Sequence, residues 1–237
     1  MPPLHAMKTL AIDTSHAAGS VAACEAAAVA LRPLGPAGEH AGRLAAALTE
    51  VAADLGWSVA DADLLVVVRG PGSFTGLRVG VATAKAIAWA GGGRLLGVSG
   101  FEVVARQTAG LSDQAGGRIE LAYDAGRDEV YAATAETDRS LPGGWRIEAA
   151  RLVPANAWIE SLPPQSQVSG PAVASLADRL AAAGHSPAPA EAWFPSAAAA
   201  ATLGFARAAA GEADDPASLV PEYLRPSYAD ERAALPR

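Results

Sequence analysis

Apolar residues form short unbroken runs and helical stripes along the first half of the chain. Short apolar runs between turn residues predict strands, and apolar spacings of three and four predict amphipathic helices. The predicted strands are 10–13, 19–26, 28–34, 64–68 and 94–99, and the predicted helices are 39–55, 74–90 and 101–108. The resulting order is βββαβαβα.

The second half repeats this order more loosely. Its strands are predicted at 118–123, 129–137, 145–152 and 167–169, and its helices at 156–161, 171–183 and 196–210. A boundary near 110–117 divides the chain into an N-terminal lobe, 1–112, and a C-terminal lobe, 113–237, whose last helix and tail return toward the first lobe. A duplicated unit of this kind predicts an α/β protein of the actin-like and Hsp70-like (ASKHA) fold, with two lobes and a cleft. In that larger fold family the cleft binds ATP.

The central stretch, 66–90, contains a buried strand, a glycine-rich turn and a helix in succession. Ser73 after the turn is predicted to cap the helix. Gly76 and Gly80 lie inside this helix, where each costs about 1 kcal/mol relative to alanine. With Ala84 and Ala88 they recur every four residues and leave one helix face nearly smooth. Two interpretations stay open: this face packs on the chain's own core, or it packs on a partner subunit.

The glycine turn does not match a known nucleotide motif. A phosphate-binding P-loop needs G-x-x-x-x-G-K-[ST], but Gly76 is followed by Leu77 and Arg78. The dinucleotide fingerprint G-x-G-x-x-G fails as well, because the spacing between its last two glycines is one residue too long here. The sequence therefore argues against both motifs.

The turn after the first strand is a weaker candidate for nucleotide binding. Asp13, Thr14 and Ser15 occupy the place where actin-like ATPases bind phosphate with their first loop. The alternative is that these side chains satisfy the amides of their own turn. The matching segment of the second half, 124–127, lacks a glycine-rich phosphate hairpin, so the sequence does not predict independent ATP hydrolysis.

No catalytic residue and no metal site are predicted. The four histidines, His5, His16, His40 and His185, are never four residues apart, as a pair of ligands on one helix would be. The chain also lacks a G-x-S-x-G nucleophile elbow. An actin-like small-molecule kinase or ATPase and a metallopeptidase-like hydrolase, the two rival function classes, would each need chemistry that the sequence lacks.

Charge and cysteine content bear on nucleic-acid binding and on the cellular location of the chain. The net charge of −7 argues against strong direct binding to nucleic acid, because neutralising phosphates needs a basic patch. The single cysteine, Cys24, precludes an internal disulfide and is consistent with a reducing, cytoplasmic location. No export signal or membrane-length apolar run is visible. Residues 1–6 are predicted to pack loosely, which leaves Met1 and Met7 as alternative starts.

Five segments resemble the TsaB (YeaZ) family. They are RGPGSFTGLRVG at 69–80, LAIDTS at 10–15, EHAGRL at 39–44, AYDAGRDEVYAA at 122–133 and PEYLRP at 221–226. The chain departs from the family at Gly126, where the family usually has an arginine. The resemblance implies a non-catalytic subunit of the bacterial machinery that makes threonylcarbamoyladenosine beside the anticodon of ANN-reading tRNAs.

The resemblance also implies partners. These are the catalytic subunit TsaD, the ATPase TsaE, and a second copy of the chain when TsaD is absent. Binding of ATP or ADP at the subunit boundary stays open, and no other cofactor is expected. The partner-binding helices are expected in the first lobe. The predicted interface residues are Glu39, His40, Arg43, Ala47, Gly76, Leu77, Val79, Gly80, Thr83 and Ala84.

Overall fold

A computed structural model describes residues 7–36, 38–111 and 117–224. The first half contains β1 (Thr9–Asp13), β2 (Ser20–Glu25), β3 (Ala28–Pro33), α1 (His40–Asp54), β4 (Leu64–Gly70), α2 (Phe74–Gly91), β5 (Arg94–Ser99) and α3 (Gly100–Leu111). The second half contains β6 (Arg118–Gly126), β7 (Glu129–Thr137), β8 (Trp145–Ile147), β9 (Arg151–Pro154), α4 (Ala155–Ser161), β10 (Gln167–Ser169), α5 (Val173–Ala182), β11 (Ser186–Pro187) and α6 (Ala197–Ala209).

The two halves have the same sheet topology. The first sheet has the order β3-β2-β1-β4-β5, and the second has the order β11-β10-β6-β7-β8. In each, an antiparallel hairpin continues into parallel strands that follow helices. This repetition confirms the predicted duplicated ASKHA-like α/β fold with two lobes.

The second half differs from the prediction at two places in its sheet. The segment predicted as a single strand, 145–152, forms two short strands that pair with opposite ends of β7. Ile147 lies opposite Ala135 and Arg151 opposite Ala132, so the segment between them holds one residue more than β7 does. A bulge of this kind breaks the ladder and bends the strand. The two-residue strand β11, which ends in proline, was also missed.

The last helix of each half packs on the sheet of the other half. Phe101 and Val104 of α3 join a core with Ile119 and Leu121 of the second sheet. In the same way α6 covers the face of the first sheet opposite α1 and α2, and its Leu203 packs with strand residues of that sheet. The two lobes therefore share their cores.

Residues 212–224, here called the C-terminal strap, run from the end of α6 back across the first lobe. Asp214 forms a backbone bridge with Leu95 of β5, and Leu219 is buried in the core beneath α1 and α2. The strap then reaches the end of β4, where the Glu222 amide donates to the carbonyl of Arg69 (2.7 Å). The strap thus covers one edge of the first sheet and ends beside the glycine turn.

Two predictions fall outside the described ranges. The loose packing predicted for 1–6 lies outside them, as does most of the predicted domain boundary. Among the helices that are described, none combines the length and the apolar character that a membrane crossing requires.

Candidate partner-binding face and first-strand turn

The glycine turn after β4 lies against the turn after β1. The Ser73 amide donates to the carbonyl of Ser15 (2.6 Å), and a Cβ atom added at Gly72 would lie 2.3 Å from that oxygen. A Cβ atom added at Gly76 would lie 2.0 Å from the carbonyl of Thr14. The glycines are therefore required by a close approach within the chain, and Ser73 caps α2 as predicted, with its Oγ accepting from the Gly76 amide (3.3 Å).

The smooth face of α2 packs on the chain's own core. A Cβ atom at Gly80 would lie 2.3 Å from Thr14 Oγ1 and 3.5 Å from side chains of β1 and β4. Leu77 and Ala84 on the same face are fully buried. This packing corrects the prediction that Leu77, Gly80 and Ala84 contact a partner, because all three are buried within the chain. Gly76 is half-buried, and its contact with a partner stays a prediction.

Two predicted interface residues of α1 are also buried. His40 is 7 % exposed, and its Nε2 lies 3.1 Å from the carbonyl of Gly35. Ala47 belongs to the core between α1 and the sheet. Both residues are on the inner side of α1, so they are not available to a partner in this conformation. Of the other predicted residues, Glu39 and Arg43 are exposed and Val79 and Thr83 are half-buried.

The outward sides of α1 and α2 form a surface with little charge, which we call the outer face. It consists of the exposed residues Ala41, Gly42, Ala45, Ala46 and Thr49 of α1 and Thr75, Ala82, Ala86 and Trp89 of α2. Trp89 is 79 % exposed, more than any other large hydrophobic side chain in the described ranges. Sequence reasoning missed it, although its spacing of three from Ala86 and seven from Ala82 places it on the same stripe.

An aromatic and guanidinium cluster lies at the N-terminal end of α2. The Arg78 guanidinium is 3.8 Å from the centroid of the Phe74 ring, and its Nε donates to the Tyr223 hydroxyl (3.0 Å). The two rings are 4.8 Å apart, and both are about 40 % exposed. An ion pair between Arg69 and Glu222 (3.6 Å) holds the strap beside this cluster. The motifs at 69–80 and 221–226 are thus joined in space, which their separation in sequence does not reveal.

The turn after β1 is buried and internally bonded. Asp13 Oδ1 accepts from the amide (2.9 Å) and the hydroxyl (2.6 Å) of Ser15, and Thr14 Oγ1 donates to the carbonyl of Gly76 (2.7 Å). The second carboxylate oxygen of Asp13 lies 2.9 Å from Nε2 of His16. A nucleotide phosphate at this turn would have to displace these contacts, so nucleotide binding by Asp13, Thr14 and Ser15 stays an untested prediction.

Burial changes the pKa of two further groups in and near the first sheet, Cys24 and Tyr123. Burial raises the pKa of the Cys24 thiol to about 11, which keeps it protonated at neutral pH. Burial and the nearby charge of Asp13 hold the pKa of Tyr123 well above its ordinary value. Across the ranges that the structure describes, no three histidine, cysteine or acidic residues lie close enough together to hold a metal ion.

Comparisons with known proteins place the chain in a family. The family model described as "TsaD: tRNA N6-adenosine threonylcarbamoyltransferase" matches residues 31–225. The TsaB protein of Escherichia coli, a "tRNA threonylcarbamoyladenosine biosynthesis protein", is 34 % identical over 148 residues. The chain belongs to the TsaB (YeaZ) branch of this family.

Further relatives agree with this family. The TsaB protein of Bacillus subtilis is 34 % identical over 92 residues, which is 39 % of this chain and 38 % of that protein. The E. coli match covers 62 % of each protein, so the chain spans about three fifths of that curated relative. The solved structure of YeaZ from Pseudomonas aeruginosa has a TM-score of 0.76 at 24 % identity, over 92 % of this chain and all of that one. This last likeness establishes the shared fold.

Proposed function

We propose that this chain is a cytoplasmic, non-catalytic subunit of the machinery that makes threonylcarbamoyladenosine in tRNA. In this proposal it binds and activates a TsaD-type catalytic subunit, and a TsaE-type ATPase joins the two. The modified adenosine is the one beside the anticodon of ANN-reading tRNAs. The observation that carries the proposal is the outer face, a surface of small and uncharged residues on two helices in a chain of the TsaB (YeaZ) family.

The composition of the outer face supports binding to another protein. Small residues let a second helix approach closely, and uncharged residues are removed from water at little cost. Trp89 at one end and the Phe74–Arg78–Tyr223 cluster at the other are residue types that dominate the energy of protein interfaces. The polar strip between α1 and the edge of the sheet, with Arg43 and Glu50, would form the rim.

The non-catalytic role is supported by the turn after β1. Asp13, Thr14 and Ser15 are buried, and Asp13 Oδ1 and the two hydroxyls bond to the chain itself, so these groups do not project toward a substrate. The net charge of −7 leaves tRNA binding to a partner. ATP or ADP at the subunit boundary remains a prediction, which titration of the assembled complex with labelled ADP tests.

The test of partner binding replaces Trp89 by alanine. The purified variant and the wild-type chain are titrated with a TsaD-type subunit by calorimetry. Because Trp89 is a large, exposed anchor, we expect its loss to weaken binding at least about tenfold, or about 1.4 kcal/mol. The melting temperature should not change, because the side chain is largely outside the core. Leu152→Ala is the matched control, since Leu152 is also exposed (43 %) but lies on β9 of the other lobe.

Two results would contradict the proposal. If Trp89→Ala melts normally and binds the TsaD-type subunit with unchanged affinity, that subunit binds to another surface of the chain. Modified nucleoside formed by this chain alone from tRNA, ATP and threonylcarbamoyl-adenylate would exclude a non-catalytic role.

A further inference from the structure

A groove lies between the C-terminal end of α2 and the strap. It has a volume of about 400 Å³, with Ala88 and Trp89 on the helix side and Asp215, Pro216 and Ala217 on the strap side. Trp89 belongs to the outer face as well, so the groove adjoins the surface proposed to bind the TsaD-type subunit. A partner that covers the Trp89 side chain therefore also meets the groove.

The strap side of the groove carries a negative charge that no ion pair neutralises within the described ranges. Asp215 is exposed, and its Oδ1 accepts from the Ala217 amide (2.9 Å), which fixes the carboxylate at the start of a turn. Two nearby acids of the strap are already bonded. Glu212 pairs with Arg207 (2.7 Å), and Asp214 Oδ2 accepts from a backbone amide of β5 (2.8 Å). The Asp215 carboxylate thus remains available to a cation from outside.

The helix side of the groove is also negative in potential. The last carbonyls of a helix have no partner within the helix and form the negative end of its dipole. The last turn of α2 contains no basic residue that would offset this end, and the helix stops at the left-handed cap Gly92. The face of the exposed Trp89 ring carries partial negative charge as well. The carboxylate, the helix end and the indole all favour a cation.

Lys85, one turn before Trp89, is bonded to the strap backbone. Its Nζ donates to the carbonyl of Leu219 (2.9 Å) and to that of Ala217 (3.4 Å). The ammonium group therefore holds the strap against α2 and keeps the two sides of the groove together. Because it bonds to carbonyls, it leaves the carboxylate of Asp215 without a cation of its own.

We propose that this groove binds an arginine side chain of the TsaD-type subunit. The inference rests on the proposed function and names the chemistry of the partner at one end of the outer face. The guanidinium would stack on the Trp89 ring and pair with the Asp215 carboxylate, and its alkyl stem would pack on Pro216. A lysine fits less well, because its ammonium is a strongly hydrated point charge without a planar face.

An apolar side chain from the partner would be a poor occupant. It would remove the Asp215 carboxylate and the helix carbonyls from water without giving them a partner, which costs free energy. A charge pair also supplies what the outer face lacks. The small, uncharged residues of that face give a partner little to fix its orientation, whereas a charge pair at one end sets the register of the two surfaces.

The test measures the affinity of the TsaD-type subunit for the full chain by calorimetry, at about 0.1 M and about 0.5 M salt. Asp215→Asn should weaken binding at least about fivefold at the lower salt concentration, and the difference should shrink at the higher one. Asparagine keeps an acceptor for the Ala217 amide, so the melting temperature should not change. Glu191→Gln is the matched control, since it removes the same charge from an exposed position between β11 and α6 and should leave the affinity unchanged.

Chemical modification of the partner identifies the cation. Phenylglyoxal blocks the arginines of the TsaD-type subunit, and the blocked subunit is titrated with both chains. Blocking should weaken binding to the wild-type chain more than binding to Asp215→Asn, because the two changes remove the same contact. Equal losses for both chains would overturn the inference, as would a smaller loss than the one that acetylation of the partner's lysines causes.

The Asp215 and Trp89 variants separate this inference from the proposed function. If Asp215→Asn binds as tightly as the wild-type chain while Trp89→Ala binds more weakly, the arginine groove is overturned and the outer face remains the partner surface. If neither variant loses affinity, both fail together. A loss of the same size in Glu191→Gln would show a general effect of net charge and would likewise overturn the groove.

Discussion

Gly80 provides the sharpest test of the packing between α2 and β1. In Gly80→Ala the new methyl group would lie 2.3 Å from Thr14 Oγ1, which is buried and donates to the carbonyl of Gly76. Alanine gains about 1 kcal/mol from helix propensity. Overpacking costs about 1–3 kcal/mol, and loss of the buried hydrogen bond costs about 1 kcal/mol. The net effect is a destabilisation of about 1–3 kcal/mol.

The assay is thermal unfolding followed by circular dichroism. For a chain of this size 1 kcal/mol corresponds to about 2–4 °C, so a loss of about 2 kcal/mol should lower the melting temperature by about 4–8 °C. Gly42→Ala is the matched control. Gly42 lies in α1 with open space around the position of a Cβ atom, so the same substitution should raise the melting temperature by about 2–4 °C or less.

The opposite signs of these two changes depend on the contact with Thr14. A Gly80→Ala variant that melts at or above the wild-type temperature would refute that contact. The smooth face of α2 would then again be a candidate for a partner interface. A partner-binding defect in such a stable variant would establish that interpretation.

Two further predictions concern other residues. Ser73→Ala removes the side-chain acceptor of the Gly76 amide and should cost about 1 kcal/mol of stability. The melting temperature should therefore fall by about 2–4 °C. An unchanged melting temperature would mean that the cap contributes nothing to stability. Burial raises the pKa of Cys24 from 9.0 to about 11, so folding favours the protonated thiol. This contribution to stability is complete below pH 9 and is lost as the pH rises through 11. We therefore expect slow alkylation of the native thiol at pH 8 and fast alkylation in denaturant, and equal rates in the two states would contradict its burial.

The sequence by itself determined the order and type of most elements. Apolar runs, helical spacing and glycine or proline turns act over a few residues, so β1 to β5, the capped start of α2 and the repeated order of the second half could be predicted locally. The motif at 69–80 indicated the family for the same reason, because it too is a local pattern of residues. The bulge between β8 and β9 could not be predicted, because it depends on how that segment pairs with β7.

The tertiary structure decided which surfaces are inside. The pattern of α2 allowed its glycine face to meet either the core or a partner, since both exclude water and both need small residues. Only the position of the turn after β1, with Thr14 beside Gly76 and Gly80, shows that this face is covered by the chain's own residues. The same long-range packing leaves Trp89 outside and brings Tyr223 to Phe74. Periodicity specifies which residues share a face, but what covers that face depends on residues distant in the chain.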